Sequence, residues 1–328
     1  MDRKPGALNW SMPTCPDIQL VLVSVPSVNT EEDFAELAQW IQAIEPRILV
    51  ALCGDEPYAS ASVAGRSLPT LIFSPGPLRR LRPSRGTVLQ GQWLPKSMEY
   101  ERLEAHGLPV PRWLRLGPTE HPSVEHWGPY VVVKPDRGAR GADVRIQRSK
   151  GVAWRPPRTD CARILGGPLA PSIVQEFIYT GPWAISYRVA TLLGEVLWCT
   201  AIEASHEHRP LSGPAGFVSA SSGAGCPIVS SGKHCRVSLA QPPDVLALAR
   251  AAHAAFPELA LLGIDIVRDH TSGQLYVLEV NSAGLCWHFS SDTGRAIQTE
   301  FGFSFQSQFD GRRRASSILA RQTVKLAR

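Results

Sequence analysis

No run of apolar residues in the chain approaches the roughly 18 needed for a membrane-spanning helix. The first residues, MDRKPGALNWSMPTCPD, hold no apolar core of the kind a secretory leader requires. A membrane protein is therefore not expected, and the reading is cytoplasmic. There is no CxxC pair. The seven cysteines, at 15, 53, 161, 199, 226, 235 and 286, are odd in number and scattered, which argues against a zinc knuckle or a disulfide framework. Neither an internal repeat nor a long low-complexity segment is present, and the nearest approach is the Gly/Ser stretch SGPAGFVSASSGAG at 212–225. Charge of one sign does not dominate either. The net charge is +5 over 328 residues, which suits an anionic small molecule as well as a nucleic acid and decides nothing alone.

What is present is an ordinary globular composition, 44% hydrophobic and 19% charged, with 28 prolines that stiffen many loops. DIQLVLVSVP (17–26) reads as a strand. TEEDFAELAQWIQAI (30–44) reads as a helix capped by Thr30, with an apolar stripe of Phe34, Leu37, Trp40, Ile41 and Ile44. RILVAL (47–52) and PTLIFS (69–74) are two more strands, so a small α/β domain is expected up to residue 95. No Gly-rich dinucleotide fingerprint follows its first strand. PKSMEYERLEAHGLPVP (95–111) reads as a short helix ended by Gly107 and the prolines beyond. From Trp127 onward the segments 130–135, 172–178, 186–204, 263–269 and 274–281 read as mainly antiparallel strands joined by short turns such as Leu193-Gly194. Helices are expected over 243–256 and in the tail, where the Arg312–Arg314 run reads as a solvated helix face rather than a nucleic-acid patch.

Four stretches carry chemistry. In QLYVLEVN the side chains of Glu279 and Asn281 share one face of an otherwise apolar strand. If this strand pairs with GIDIV about a turn centred near residue 272, Asp265 lies opposite Glu279, with Cβ atoms about 5 Å apart. Two carboxylates that close repel unless something positive lies between them. Two acids and an amide oxygen suit Mg²⁺, and arginine partners are the alternative. In VVVKPDRGARGADV a lysine, Lys134, ends a strand before a Gly/Arg loop that can fold over phosphates, although it is not a Walker loop. Its alternative is a basic surface hairpin. Lys96 opens the helix before a Gly-Leu-Pro turn, and IVQEFI (173–178) can act as a hinge whose backbone meets a planar ring. His206, Glu207 and His208 read as a solvated loop or substrate contact before a metal site. Cys286 lacks an identifiable base and is not read as a nucleophile.

In this order along the chain, these features resemble the ATP-grasp superfamily of the carboxylate–amine ligase type over roughly residues 96–305. The resemblance implies an ATP-grasp fold of two α+β subdomains gripping ATP, preceded by a small Rossmann-like α/β domain. The expected division is 1–95 for the preceding domain and 96–328 for the grasp, itself split into 96–180 and 181–328. It implies that Lys96 and Lys134 meet the phosphates and that Gly138, Gly141 and Ala142 form the loop over them. Gln175, Glu176, Phe177 and Ile178 form the adenine hinge, with the Glu176 carboxylate accepting from the adenine amino group. Asp265, Glu279 and Asn281 would bind Mg²⁺, with Mn²⁺ as a substitute, and Arg188 would stand by the transferred phosphate or substrate, with a structural ion pair as its alternative. Arg209, Ser282, Gly284, Trp287 and His288 are the candidate substrate pocket, with core packing and a helix start as the alternative for Trp287 and His288.

Two departures stand out. Trp183 occupies the position of the usual ribose-binding acid, and Glu203 stands on the strand that often supplies a second arginine. The implied activity is ligation of a small-molecule or peptide carboxylate to an amine at the expense of ATP. The alternatives are a kinase on the same fold or a non-catalytic nucleotide-binding protein. No nucleic-acid or membrane partner is expected.

Overall fold

The computed structural model describes residues 15–57, 67–120, 122–138, 141–156, 170–205, 210–215 and 235–327. The first part is a four-stranded parallel sheet built from β1 (Ile18–Ser24), β2 (Ile48–Gly54), β3 (Thr70–Phe73) and β4 (Thr87–Leu89), in the order β2-β1-β3-β4. Helix α1 (Glu31–Ile44) crosses between β1 and β2. Thr30 caps it by accepting from the Asp33 N–H at 3.3 Å, and Glu31, Glu32 and Asp33 place negative charge at the positive end of its dipole.

Two antiparallel sheets follow. One is ordered β5-β8-β6-β7, from Trp113–Leu116, Ser172–Glu176, Tyr130–Pro135 and Arg145–Arg148 respectively. The other is ordered β11-β10-β9-β12-β13, with β9 at Ile185–Leu192, β10 at Glu195–Ala204, β11 at Cys235–Leu239, β12 at Leu261–Arg268 and β13 at Leu275–Asn281. Helix α2 (Lys96–Ala105) lies between these two sheets, and α3 (Pro243–Ala254) backs the five-stranded one. The chain ends in α4 (Asp292–Phe301), α5 (Gln306–Phe309) and α6 (Gly311–Leu326).

Helix α2 is positioned at both ends. At its C-terminus Gly107 adopts φ +68°, the Leu108 N–H donates to the Leu103 carbonyl and the Gly107 N–H to that of Glu104. This closure needs a left-handed residue, which glycine supplies without strain. At its N-terminus Pro95 offers no side-chain cap. The cap comes from Asp136, just beyond β6, whose carboxylate accepts from the Ser97 N–H at 2.8 Å and the Ser97 hydroxyl at 3.1 Å. That remote cap ties the start of α2 to the end of β6, and so brings Lys96 next to Lys134.

The expected division at residue 95 separates sheets but not cores. Leu20, Leu22, Phe34 and Phe73 share one buried cluster with Leu192, Trp198, Trp287, Ile318 and Leu319. Helix α6 returns from the end of the chain to pack on α1 and on β1, β2 and β3. The Arg312–Arg314 run is a solvated face only in part: Arg313 is exposed, while Arg312 and Arg314 are half-buried. Arg312 bonds Asp33 at 3.0 Å and also Glu36, Arg313 lies over the Trp40 ring, and Arg314 donates to the Val196 carbonyl. Arg312 and Arg314 thus fasten the last helix at two positions where the sequence pattern predicted exposure.

Candidate functional site

Strands β12 and β13 pair antiparallel with Asp265 opposite Glu279 and Gly263 opposite Asn281, as the turn position implies. Between Asp265 and Ile266 the register slips, so that Ile266 faces Val277 and Leu278 is the extra residue of a bulge. The bulge has two consequences. The side chains of Leu278 and Glu279 both line the same cleft. The Leu278 carbonyl, released from the ladder, accepts from Lys134 Nζ at 3.0 Å and lies 2.6 Å from the Tyr100 hydroxyl.

The cleft runs between the two antiparallel sheets. Lys96, Lys134, Gly138, Gly141, Ala142 and Glu279 line it together with Gln175, Phe177, Ile178 and Thr180, and the Tyr100 hydroxyl bridges Lys134 and Gln175 at 3.0 and 2.7 Å. Apolar side chains from both sheets, among them Val132, Ile146, Ile185, Val267 and Leu278, form its walls. An apolar cleft that also holds two lysines can take a planar ring and an attached anionic tail.

The charged groups are neutralised internally. Lys96 Nζ lies 3.1 Å from Glu279 Oε1 and donates to the Gly138 carbonyl at 2.9 Å, which links the phosphate-type loop to the acidic strand. Burial pulls the Lys96 pKa down, but the Glu279 and Glu99 carboxylates outweigh it and leave it above its ordinary value. Glu279 answers in kind, because Lys96 and Lys134 overcome the burial that would raise its pKa. Asp265 is fully buried, and Arg188 grips both of its oxygens at 2.7 Å. The arginine-partner alternative for the carboxylate pair therefore holds for Asp265. Lys134 differs from Lys96. Its hydrogen bonds go to the Tyr100 hydroxyl and the Leu278 carbonyl, and burial draws its pKa down to about 8.

Asn281 Nδ2 donates to the Gly263 carbonyl at 2.9 Å and to Asp265 Oδ2 at 3.3 Å. Its oxygen is thereby left as the group able to face a cation. Among the described residues no three His, Cys, Asp or Glu side chains converge on a metal-sized space. A divalent cation here would rest on Glu279 and the Asn281 amide oxygen, with phosphate oxygens completing the shell, and would reach Asp265 only in exchange for Arg188. These are hard oxygen donors that fit Mg²⁺ and Mn²⁺ rather than a thiolate-loving metal.

Several expected residues lie elsewhere. Gln175 faces the cleft and accepts from Tyr100 at 2.7 Å. Glu176, next along β8, alternates to the other face, and its carboxylate is held by Arg112 at 2.9 and 2.7 Å. It does not present a free acceptor to a ring in the cleft. Trp287 is fully buried between Phe34 and Phe73 and donates to Asp33 at 2.6 Å, so it belongs to the core and not to a pocket. His288 is buried too, stacked on Trp198 at 5.0 Å, and burial followed by the Arg188 charge pushes its pKa down to about 3. Ser282 is buried and donates to Glu99 at 3.2 Å. Gly284 sits at φ +67°, where a Cβ would come 2.5 Å from the Pro75 carbonyl oxygen. Both serve the joint between the first sheet and the site. Arg209 and the 206–208 cluster lie outside the described residues.

Sequence reasoning missed Glu99, Tyr100 and Asp136. Glu99 is buried, accepts from the Val280 N–H at 3.3 Å and from Ser282, and has its pKa raised to about 8 by burial and by the nearby Glu279 charge. Glu99 and Tyr100 stand three and four residues after Lys96 and so share its helix face. That spacing is the signal that could have found them.

Comparison with solved structures gives a TM-score of 0.47 to a D-alanine–D-alanine ligase from Bacillus anthracis complexed with ATP, at 12% identity over 93% of this chain and 99% of that one. The D-cycloserine synthetase DcsG scores 0.47 at 18% identity, covering 93% and 99%. The ATP-grasp ligase PsnB with its minimal precursor scores 0.49 at 14% identity, covering 94% and 99%. No curated protein matches the chain. The family model of the ATP-grasp domain matches residues 95–283. That span takes in both antiparallel sheets, the lysine pair and the acidic hairpin, and it places this chain in the ATP-grasp family.

Proposed function

We propose that the protein uses ATP to activate a carboxylate as an acyl phosphate and joins it to an amine, releasing ADP and phosphate. The observation that carries this reading is that Lys96, Lys134 and Glu279 line one apolar cleft together with Gln175, Phe177 and Ile178, with Asp265 and Asn281 joined to each other directly behind Glu279 on the same hairpin. On nucleotide entry Lys96 exchanges Glu279 for the phosphates, and Lys134 adds a charge from the floor. Arg188, locked on Asp265, adds fixed positive charge beside the acidic hairpin. Magnesium or manganese, when bound, supplies the positive charge that offsets the phosphate oxygens. The substrate carboxylate oxygen attacks the γ-phosphorus and the bond to ADP breaks. The amine nitrogen then attacks the acyl carbon, loses a proton, and phosphate departs with one oxygen of the original carboxylate. Most of the rate enhancement is positioning and charge stabilisation. The loop through Gly138, Gly141 and Ala142 covers the phosphates and limits hydrolysis of the intermediate.

The test is to incubate the protein with ATP, Mg²⁺ and pools of carboxylates and amines, and to follow ADP, phosphate and product mass. Carboxylates labelled with ¹⁸O should pass one labelled oxygen to phosphate. ADP with a stable phosphate ester would make the protein a kinase. Nucleotide binding without turnover on any pool would support a binding protein.

A further inference from the structure

The Arg112–Glu176 pair stands at the hinge and takes no part in the phosphate chemistry. Resting on the nucleotide reading above, we propose that Arg112 is a positioning residue for the nucleotide base. It clamps Glu176, so that the base edge is read by the main chain at Phe177 and Ile178 and not by the Glu176 carboxylate.

Three observations support it. The clamp is double. The Glu176 N–H donates to the Arg112 carbonyl at 2.8 Å, while the Arg112 guanidinium holds both Glu176 carboxylate oxygens at 2.9 and 2.7 Å. These two residues continue the β5–β8 ladder one step beyond the Trp113–Gln175 pair. Secondly, the guanidinium is half exposed, and a lone ion pair so placed contributes little. Here it also lies over the Trp127 ring, 5.8 Å from its centroid, which adds to the attraction and restricts the arginine. Thirdly, Gln175 faces the cleft and Glu176 alternates away. Phe177 and Ile178, where the chain leaves the strand, both line the cleft. A fixed main-chain carbonyl and N–H suit adenine, whose amino group donates and whose N1 accepts. Hypoxanthine reverses both roles.

The experiment measures Kd for MgATP and MgITP by calorimetry on the wild type, Arg112→Met, Arg112→Lys, Glu176→Gln and the exchange Arg112→Glu/Glu176→Arg. Thermal melts accompany each to report folding. The clamp predicts that Arg112→Met and Glu176→Gln each weaken ATP roughly five- to tenfold. Each should narrow the preference for ATP over ITP without lowering the melting temperature in proportion. Arg112→Lys, which cannot grip both oxygens, should fall between. The exchange variant should recover ATP affinity to within about threefold of wild type, because it rebuilds the pair. A carboxylate that reads the amino group itself would behave differently. Glu176→Gln alone would then lower ATP affinity, Arg112→Met would not, and the exchange would abolish binding. That pattern overturns the proposal, as does unchanged affinity in all variants. Failure of the wild type to bind any purine nucleotide would instead defeat the nucleotide reading on which it rests.

Discussion

Strand β13 and the loop that follows it are contiguous in the chain, yet they meet opposite surroundings. Leu278 and Glu279 face a cleft roofed by the 113–176 sheet, and the charges there find cationic partners across a gap that a ligand can enter. Trp287 faces α1 and the first sheet, His288 stacks on Trp198 and Phe305, Cys286 lies against Gly263, and all three become core. Both stretches mix polar and aromatic residues. What separates them is the element standing opposite, so a polar or aromatic residue beside a site is not thereby part of it.

The comparison is broken most severely at Glu279. Glu279→Gln should lower ADP formation by at least about 100-fold at temperatures where the variant remains folded, because it removes the charge shared by Lys96 and the candidate cation. Near-wild-type turnover would move the site elsewhere. On the loop side, Trp287→Ala removes a fully buried ring and the donor to Asp33, and should cost about 3–5 kcal/mol in denaturant unfolding. At temperatures where the variant remains folded, nucleotide affinity should be close to wild type. A selective loss of nucleotide binding with full stability would put Trp287 back at the site.

Two smaller effects follow from buried charge. Lys134 is charged below about pH 8 and its folded pKa lies below the ordinary 10.5. Nucleotide affinity should therefore fall as pH rises through about 8. The ligand-free protein, in which that buried charge is unfavourable, should gain stability from this group over about pH 8 to 10.5. Titrations of binding and of melting temperature over that range should move in opposite directions. Glu99 has the reverse sign, since its folded pKa is raised from 4.5 to about 8, so its contribution to stability is lost as pH rises across that window. Glu99→Gln should raise the melting temperature at pH 8 and change it less at pH 5. An equal shift at both would show that the effect is not electrostatic.

Most strands were legible because they are interior and apolar. The four that the pattern missed, β4, β5, β7 and β11, all lie at sheet edges. There TVL, WLRL, RIQR and CRVSL are short or alternate with charge, as half-exposed edge strands do. In the site, the ladder position of Asp265 opposite Glu279 was readable, since strand alternation and one turn determine it. The bulge at Leu278 was not, because nothing in LEVN marks which residue is extra.

The sequence by itself thus determined the order of the elements, the lysine strand, the acidic hairpin and the helix that opens with Lys96. Each of these depends on spacing within one or two neighbouring segments. Only the tertiary structure decided partners. It gave Asp265 to Arg188 and Glu279 to Lys96, turned Glu176 to Arg112, buried Trp287 on Asp33, and let Asp136 cap a helix from another strand. Those choices join residues far apart in the chain, and the free energy of a buried charge depends on what surrounds it rather than on what precedes it.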